Sequence, residues 1–403
     1  MVSEQVNQES MIKSIATSGL EIKLWTDDIE KGAYRQILNL SQHPYAKKHV
    51  AIMPDCHEGF GMPIGGVLAT SGVIIPNAVG VDIGCGMSAV KTGLTDINNI
   101  DLKKIMSGIR EKIPLGFKHH SRSQGSDRMP DPLILGFDPM ELPVVSREYE
   151  SALRQVGTLG GGNHFIEIQK GDDGFVWIMI HSGSRNIGKQ VADYYNRKAI
   201  SFNREAGEDY GPRTELAWLR LNTKTGDDYL KEMQYCLIFG MCNRYLMMER
   251  IVQLFEDHFG SGFNCGDPIN IAHNYAAMER HFGEDLVIHR KGATRASKGL
   301  KGIIPGSQGT KSFIVEGKGN PDSFESCSHG AGRVMGRNQA IRTLDLQEEI
   351  KRLDKLNIIH SIRSRNDLDE APSAYKNISE VMLLQTDLVD VLVKLSPLAV
   401  IKG

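Results

Sequence analysis

The sequence is poor in cysteine for its length, and no two cysteines form a closely spaced pair. Six cysteines occur in 403 residues, which argues against a disulfide-stapled secreted fold. An apolar run long enough to span a membrane is also absent. The first ten residues are polar and lack the apolar core of a secretory signal. We therefore predict no membrane partner and a reducing, cytoplasmic location.

The sequence also lacks a strong charge of either sign. Its formal net charge of −2 argues against a protein that coats nucleic acid indiscriminately, although a local basic groove is compatible with it. Internal repeats, low-complexity tracts and dividing linkers are missing as well. Apolar and charged fractions of 40% and 24% are those of an ordinary globular chain. We predict a single mixed α/β domain over residues 1–403, with its chemistry in the loops.

Hydrophobic spacing predicts the secondary structure in outline. Helices are predicted over residues 27–42, 101–113, 187–207, 227–258, 330–343, 346–357 and 378–395. Strands are predicted at 49–54, within 66–87, at 164–169, at 175–180 and within 303–319, with a hairpin turn at 171–174 and a long surface loop at 118–143.

Five residues of metal-binding type come from four separated segments. They are Asp82, Cys85, His164, His181 and His273. Taken singly, a small buried thiol or a hydrogen-bonded structural histidine is the commoner role, whereas a buried carboxylate needs a partner or a metal. Together they could hold one or two transition metals, and thiolate with imidazole suggests zinc. Because the spacing matches no structural zinc motif, a catalytic site is favoured.

Two glycine-rich segments have the composition of phosphate-binding loops. Residues 304–312 offer backbone amides, hydroxyls and a lysine, but they lack the Gly-Lys-Ser/Thr ending of a Walker A loop. Residues 327–333 place His329 at a predicted helix start, where free N–H groups and the helix dipole favour an anion. A histidine there could be a nucleophile, an acid or a phosphate donor. A glycine-rich turn without a ligand is the alternative for each segment.

Long strings of the sequence resemble the RtcB family, in the family's order and over nearly the whole chain. They lie at residues 53–59, 80–87, 162–167, 181–185, 273–275, 290–293, 304–307, 326–333 and 402–403. The resemblance implies an RtcB-like domain with a central active-site pocket between β-sheets flanked by helices. It also implies an RNA ligase that joins a 3′-phosphate or 2′,3′-cyclic phosphate end to a 5′-hydroxyl end, in tRNA splicing or RNA repair.

The resemblance further implies roles for individual residues. His329 would attack the α-phosphate of GTP and carry GMP, and Arg185 is a candidate for the RNA terminal phosphate. The five metal-binding residues would hold two Mn²⁺ ions with Cys85 shared, which replaces the preference for zinc. The guanine nucleotide would contact Asn163, His164, Phe165, Ile166, Glu167, His273, Asn274, Pro305, Gly306, Ser307, Gln308, Ser312, His329, Gly330, Ala331, Gly332, Tyr375 and Lys402.

Within that set, Tyr375 would stack on the guanine base, and Lys402 and Glu167 would read its polar edge. If residues 163–167 are extended, Asn163 and Glu167 share one face and His164 the other, so that one strand serves both nucleotide and metal. The implied partners are the two RNA ends and an archease-like activator.

Two other functions stay open. A metal-dependent phosphoesterase or nuclease would use the same metals without a nucleophilic His329. A non-catalytic protein that binds guanine nucleotide or RNA ends would keep Tyr375 and Lys402 without needing the metal ligands. The presence of both sets of residues favours the ligase.

Overall fold

The computed structural model describes residues 13–403, and they form a mixed α/β fold, as predicted. The polar residues 1–10, on which the expectation of no secretory signal rests, lie outside the described residues. The strands are β1 (Lys13–Ile15), β2 (Glu21–Leu24), β3 (Ala46–Phe60), β4 (Met62–Thr70), β5 (Val73–Ile74), β6 (Gly86–Lys91), β7 (Phe165–Gly171), β8 (Val176–Ser182), β9 (Leu219–Arg220), β10 (Ile269–Ala272), β11 (Asn274–His281), β12 (Glu284–Lys291), β13 (Ala293–Arg295), β14 (Lys301–Ile304), β15 (Ser312–Gly317), β16 (Ser326–Ser328) and β17 (Val389–Lys402).

The helices lie mostly between the strands along the chain. They are α1 (Lys31–Ser41), α2 (Pro76–Val79), α3 (Asn99–Lys112), α4 (Pro132–Leu135), α5 (Val145–Ala152), α6 (Arg185–Glu205), α7 (Tyr210–Thr214), α8 (Lys224–Phe259), α9 (Arg337–Thr343), α10 (Leu346–Lys355) and α11 (Ile378–Leu383). Short 3₁₀ turns occupy Ser126–Arg128, Pro139–Glu141, Gly260–Gly262, Pro321–Ser323, Arg365–Glu370 and Pro372–Ala374.

Two large sheets organise the fold. One has six strands in the order β1-β2-β3-β4-β12-β11, and the other has seven in the order β10-β6-β8-β7-β17-β15-β14. Neighbours are antiparallel except for the parallel pair β2 and β3. Strand β17 lies inside the seven-stranded sheet, between β7 and β15. The first half of β17 therefore pairs with β15 and its second half with β7, from two distant parts of the sequence.

Helix α8 is the longest helix of the described chain, with 36 residues. Its apolar residues recur at helical spacing, and Thr223 caps its start by accepting a hydrogen bond from the backbone N–H of Gly226. It ends at Phe259, and the following residue, Gly260, has a φ of +76°, which a side chain would disfavour. The helix packs against α3 and α6 and crosses β6, β8 and β10 of the seven-stranded sheet.

Two of the predicted helices are wrong in part. The predicted helix over 378–395 is helical only over Ile378–Leu383 and continues into β17, because Val389, Val391 and Val393 repeat every second residue as in a strand. The predicted helix over 330–343 begins only at Arg337. Gly332 has a φ of +72°, which a right-handed helix excludes, so His329 lies in a loop after β16 and not at a helix start.

The remaining differences are smaller. The first helix is Lys31–Ser41 rather than 27–42, and the strand predicted at 49–54 runs over Ala46–Phe60. The hairpin at 171–174 joins β7 to β8 as predicted, with Gly174 at a φ of +88°. The loop predicted at 118–143 includes the short helix α4. In the part of the chain that the structure describes, no helix has both the length and the hydropathy for crossing a membrane.

Candidate active site

A cavity of about 760 Å³ opens between the two large sheets. Strands β3, β4 and β12 of the six-stranded sheet line one side, and β7, β8 and β17 of the seven-stranded sheet line the other. The loops 305–308 and 329–337 complete the walls. The size lies within the range of small-molecule sites. A pocket between β-sheets, as the resemblance implies, is therefore present.

The five candidate metal ligands meet at one side of this cavity. Cys85 Sγ lies 3.4 Å from His164 Nε2 and 3.3 Å from His181 Nε2. His181 Nε2 lies 3.4 Å from His273 Nε2, and His164 Nε2 lies 3.4 Å from Asp82 Oδ2. Tetrahedral ligands at metal distances of 2.0–2.3 Å would be separated by roughly 3.3–3.8 Å. The spacing therefore fits a metal centre.

The cluster divides into two triads that share one atom. Cys85, His181 and His273 form one triad, and Asp82, Cys85 and His164 form the other, with the ligand atoms of each within 4.8 Å of one another. Each triad offers a set of donor atoms that could hold a metal ion.

Hydrogen bonds at the far side of two rings fix which nitrogen faces the cluster. His181 Nδ1 lies 3.0 Å from the Asn163 carbonyl oxygen, and His164 Nδ1 lies 3.0 Å from that of Leu159. A carbonyl oxygen only accepts, so Nδ1 of His181 carries the proton and its Nε2 presents a lone pair to the cluster, whereas Nδ1 of His164 also lies 3.3 Å from a donor, Arg185 Nη1. His181 Nε2 can then accept a hydrogen bond from the Nε2–H of His273 at 3.4 Å, or both nitrogens can present lone pairs to a cation.

Burial sets the protonation of the cluster. It lowers the pKa of His181 and His273 well below the ordinary value, with the neighbouring cationic groups adding to the effect. Burial and the charge of Asp82 raise the pKa of the Cys85 thiol. For Asp82, burial is opposed by the hydrogen bond and charge of His164, and its pKa falls to about 2. Neutral imidazoles and an ionised carboxylate are the forms that bind metal.

Helix α8 holds the metal-ligand segments from behind. Arg244 is completely buried and donates to the carbonyl oxygens of Gly84, at 3.0 Å, and Ser182, at 2.8 Å. Its neighbour Asn243 donates to the Gly183 carbonyl, at 3.0 Å, and accepts from the Gly157 N–H, at 2.8 Å. The two side chains therefore fix the backbone beside Cys85 and His181 without touching the cavity.

His329 stands beside the metal cluster and against a buried carboxylate. Its ring centroid lies 4.8 Å from that of His273. Its Nδ1 lies 2.6 Å from Oδ2 of Asp55, which is completely buried in β3. The same oxygen accepts from the backbone N–H groups of His329 and Gly330, at 3.1 and 3.3 Å. With Nδ1 donating to the carboxylate, Nε2 keeps a free lone pair.

The contact between His329 and Asp55 requires that the backbone segments around them approach closely. A Cβ at Gly332 would lie 2.3 Å from the Asp55 carbonyl oxygen, so no side chain can be accommodated there. A Cβ at Gly292 would meet Ile64 at 2.2 Å and the His329 ring at 3.1 Å. Both glycines have positive φ. They let the loop carrying His329 lie directly on β3 and β4.

The other end of the cavity carries buried ionisable groups. Burial raises the pKa of Glu167 to about 8, although Lys402 and a hydrogen bond from Gln169 oppose the shift. Burial lowers the pKa of Lys402, opposed by the carboxylates of Glu370, Asp369 and Glu167. The Tyr375 hydroxyl donates to Glu370, which also pairs with Arg333 at 3.1 Å. This end therefore presents a carboxyl, an ammonium and an aromatic ring together.

Most of the residues expected to contact the nucleotide line this cavity. Those that do so are Asn163, Phe165, Glu167, His273, Asn274, Pro305, Gly306, Ser307, Gln308, His329, Gly330, Ala331, Gly332, Tyr375 and Lys402. His164 is buried in the metal cluster instead. Ile166 lies in the hydrophobic core on the other face of β7, and the buried Ser312 accepts from the Gly306 N–H behind the loop.

Arg185 lies next to the metal cluster and outside the lining of the cavity. It has a φ of +60°, which is rare for a residue with a side chain. Its Nε donates to Thr158 Oγ1 at 3.2 Å, and its Nη1 lies 3.3 Å from His164 Nδ1. The guanidinium and the Leu159 carbonyl therefore compete for the same ring nitrogen.

Several cavity residues had no role assigned from the sequence. Asp55, His57, Lys291, Glu370 and Arg337 all lie at or beside the cavity. Asp55 was part of the segment 53–59 that resembles the family. A signal was present, since a carboxylate inside an apolar strand needs a buried partner. The partner could not be identified, because His329 is 274 residues away in sequence.

Comparison with known proteins gives consistent matches. The family model described as tRNA-splicing ligase RtcB matches residues 36–134 and 137–403. An RNA-splicing ligase RtcB of Escherichia coli K12 is 39% identical over 414 residues, covering 96% of this chain and 99% of that protein. A tRNA-splicing ligase RtcB of Methanococcus maripaludis is 30% identical, covering 94% and 93%. An RNA-splicing ligase RtcB of Mycobacterium bovis is 31% identical, covering 91% and 100%.

Proposed function

Because the chain belongs to the RtcB family, we propose that it is an RNA ligase that uses GTP and two Mn²⁺ ions and forms a covalent GMP adduct on His329. Its substrates are RNA with a 3′-phosphate or 2′,3′-cyclic phosphate and RNA with a 5′-hydroxyl. The observation that carries the proposal is the position of His329. Its ring stands 4.8 Å from a metal-ligand histidine, with Nδ1 on Asp55, in a cavity large enough for a nucleotide.

In the first step, Nε2 of His329 attacks the α-phosphorus of GTP. A P–N bond forms, the bond from the α-phosphorus to the oxygen bridging the β-phosphate breaks, and pyrophosphate leaves. The ring gains positive charge as the bond forms, and Asp55 stabilises this charge through Nδ1–H. The carboxylate also keeps Nε2 as the nitrogen without a proton.

In the later steps, the GMP passes to RNA. An oxygen of the RNA 3′-phosphate attacks the α-phosphorus and the P–N bond to His329 breaks. The 5′-hydroxyl then attacks the 3′-phosphorus, and GMP leaves as the new phosphodiester forms. A cyclic phosphate is first hydrolysed to a 3′-phosphate. Because the same α-phosphorus is attacked twice, one cavity would serve both the nucleotide and the RNA end.

Asp82, Cys85, His164, His181 and His273 would hold the two ions. When bound, the ions neutralise charge on the phosphates and orient the attacking groups. The donor set by itself is softer than manganese usually prefers, so the identity of the ion rests on the family resemblance. With Nε2 of His164 facing a cation, its Nδ1 proton belongs to the Leu159 carbonyl. The Arg185 guanidinium is then available for an RNA phosphate.

The nucleotide end would read guanine. The ionised Glu167 carboxylate would accept from the N–H groups of the base, Lys402 would donate to its carbonyl oxygen, and Tyr375 would stack on its face. The loops 305–308 and 330–332 would surround the sugar and phosphates with backbone N–H groups. A cytoplasmic location, a role in tRNA splicing or RNA repair and an archease-like activator complete the proposal.

The test is covalent labelling. Protein incubated with α-³²P-GTP and Mn²⁺ should become labelled through an acid-labile bond, and His329→Ala should not. His258→Ala is the matched control, because His258 also pairs with an aspartate, at 2.8 Å from Asp101, but lies outside the cavity. Labelling of His329→Ala at another residue would show that His329 is not the nucleophile.

The same preparation distinguishes the two alternatives. A 3′-phosphate RNA and a 5′-hydroxyl RNA should be joined with GTP and not with ATP. A phosphoesterase or nuclease would shorten or dephosphorylate the RNA without covalent labelling. A binding protein would retain GTP without labelling and without any change in the RNA.

A further inference from the structure

Outside the cavity, the segment of residues 115–124, which we call the 115–124 loop, exposes an aromatic ring to solvent. Phe117 is 98% exposed, far more than an apolar ring of this size usually is in a folded protein. One exposed apolar side chain does not by itself mark a binding surface, so the residues around Phe117 decide whether it belongs to one.

The exposure of Phe117 is not that of a detached segment. The N–H of Gly116 donates to the Gly160 carbonyl at 3.2 Å, and the N–H of His120 donates to the Arg154 carbonyl at 3.0 Å. The N–H of Gln124 donates to the Leu153 carbonyl at 2.8 Å. Backbone hydrogen bonds therefore hold the loop on both sides of Phe117, and the ring points outward from this hydrogen-bonded frame.

The frame places the ring beside the proposed reaction centre. Gly160, which binds the loop, lies three residues before Asn163, and Asn163 lines the cavity. A Cβ at Gly160 would fall 2.0 Å from Nη1 of Arg185, so the guanidinium lies against the same glycine. The charge of Arg185 adds to burial in lowering the pKa of His119. The loop therefore adjoins Arg185 and the cavity edge.

The loop is also locally basic in a chain whose net charge is −2. Lys118 and Arg122 are exposed, and residues 113–126 contain no aspartate or glutamate. Among the residues that the structure describes, no carboxylate forms an ion pair with Lys118, Arg122 or the neighbouring Arg154. Unpaired cations around an exposed aromatic ring are the composition of surfaces that bind unpaired nucleic acid, because the cations meet phosphates and the ring stacks on a base.

We propose that the 115–124 loop binds unpaired RNA next to the end that is being joined, with Phe117 stacked on a base and Lys118 and Arg122 on phosphates. This inference rests on the proposed function for the identity of the nucleic acid. The strand bound is the one with the 3′-phosphate or the one with the 5′-hydroxyl, since either brings the same bases and phosphates. A protein partner is the competing occupant, and the experiments below separate it.

The first experiment measures binding of two fluorescent single-stranded RNAs to the full-length protein without GTP. One RNA ends in a 3′-phosphate and the other in a 5′-hydroxyl. Phe117→Ala should raise the Kd of at least one strand about tenfold, and Phe117→Trp should bind as wild type does. Phe202→Ala is the control, because Phe202 is an exposed phenylalanine about 25 Å along α6 from Arg185.

A second experiment locates the stacked base. Abasic nucleotides are placed one at a time from the end of the RNA that binds. One abasic position should weaken binding to wild type about tenfold and leave binding to Phe117→Ala unchanged, because the ring and the base act as a pair. A structural effect of the substitution would instead weaken every RNA equally.

A third experiment tests the charges. The double variant Lys118→Ala/Arg122→Ala should lower the slope of log Kd against log salt by about 1.4, as expected for two phosphate contacts on a single strand. The double variant Lys103→Ala/Lys104→Ala, which removes two exposed lysines of α3, should leave the slope unchanged.

The outcomes distinguish this inference from the proposed function. Labelling by GTP needs no RNA, so Phe117→Ala should be labelled at the wild-type rate. If wild-type protein is not labelled, the proposed function fails, while the RNA-binding measurements stand by themselves. If Phe117→Ala and wild type bind both RNAs equally, the inference is wrong, and loss of a protein contact in the variant would identify the competing occupant instead.

Discussion

The histidines of the candidate metal site and His329 are neighbours at one cavity, yet their second ring nitrogens are held in different ways. In His164 and His181, Nδ1 lies 3.0 Å from a backbone carbonyl oxygen. In His329, Nδ1 lies 2.6 Å from the Asp55 carboxylate. A carbonyl fixes the tautomer and adds no charge, which suits a neutral ligand. A carboxylate also stabilises the positive charge that forms when the ring becomes a nucleophile.

Residue type alone therefore does not assign a histidine its role. His273 and His329 have ring centroids only 4.8 Å apart. The Nδ1 of His273 is buried and makes no hydrogen bond with any described residue, whereas a buried carboxylate faces the Nδ1 of His329. The partner at the far side of the ring therefore separates the proposed ligands from the proposed nucleophile.

The largest effect is expected from removing the atom that the two triads share. Cys85→Ala should lose both bound metal ions and all ligation, because each triad loses its thiolate. Metal content measured by mass spectrometry and joining of labelled RNA test this. Cys236→Ala, which removes another buried thiol, should retain both. Full activity in Cys85→Ala would remove Cys85 from the site.

A smaller effect is expected on the other side of the comparison. Asp55→Asn should lower the rate of His329 labelling by about 10²-fold or more, because the amide keeps the size of the side chain and loses its charge. Its metal content should match that of wild type, since Asp55 belongs to neither triad. Single-turnover labelling with α-³²P-GTP measures the rate. Asp101→Asn is the control, as it alters an aspartate paired with a histidine outside the cavity. Loss of metal in Asp55→Asn would show that the two histidine environments are not separate.

The smallest effect concerns the guanine end. Because the pKa of Glu167 is raised to about 8, its carboxyl holds a proton at neutral pH before the base binds. Acceptance of the guanine N–H groups requires that this proton leave. The affinity for guanosine should therefore rise about tenfold per pH unit between pH 6 and 7 and level off above pH 8. Titration calorimetry with guanosine avoids the ionisation of phosphates.

Glu167→Gln provides the control for this pH dependence. It removes the titrating group and keeps the polar side chain, so its guanosine affinity should vary little with pH. A pH dependence that persisted in Glu167→Gln would indicate that Lys402, whose pKa is lowered by burial, is the titrating group.

Much of this site was accessible from the sequence because its parts are local. Asp82 and Cys85 share one glycine-rich turn, and His164 and His181 occur at the ends of neighbouring strands that a short hairpin joins. The types of residue were enough to suggest a metal centre. The contact between Asp55 and His329 could not be predicted from the sequence, because β3 and the loop after β16 meet only through long-range packing.

The errors in the fold have the same origin. Residues 389–395 follow the helix Ile378–Leu383 closely in sequence, and their alternation becomes a strand by pairing with the distant β15. Arg244 interrupts the apolar face of a helix without any local indication of its partners. Its acceptors, Gly84 and Ser182, are 160 and 62 residues away in sequence.

The hydrogen bonds between α8 and the backbone have a consequence for metal binding at the site. Asn243 and Arg244 are consecutive residues of one rigid helix, and they hold the backbone at Gly84, Gly157, Ser182 and Gly183. These segments therefore cannot drift apart one at a time. Whatever moves one of them moves the others with it, so we expect an ion held by one triad to order the ligands of the other.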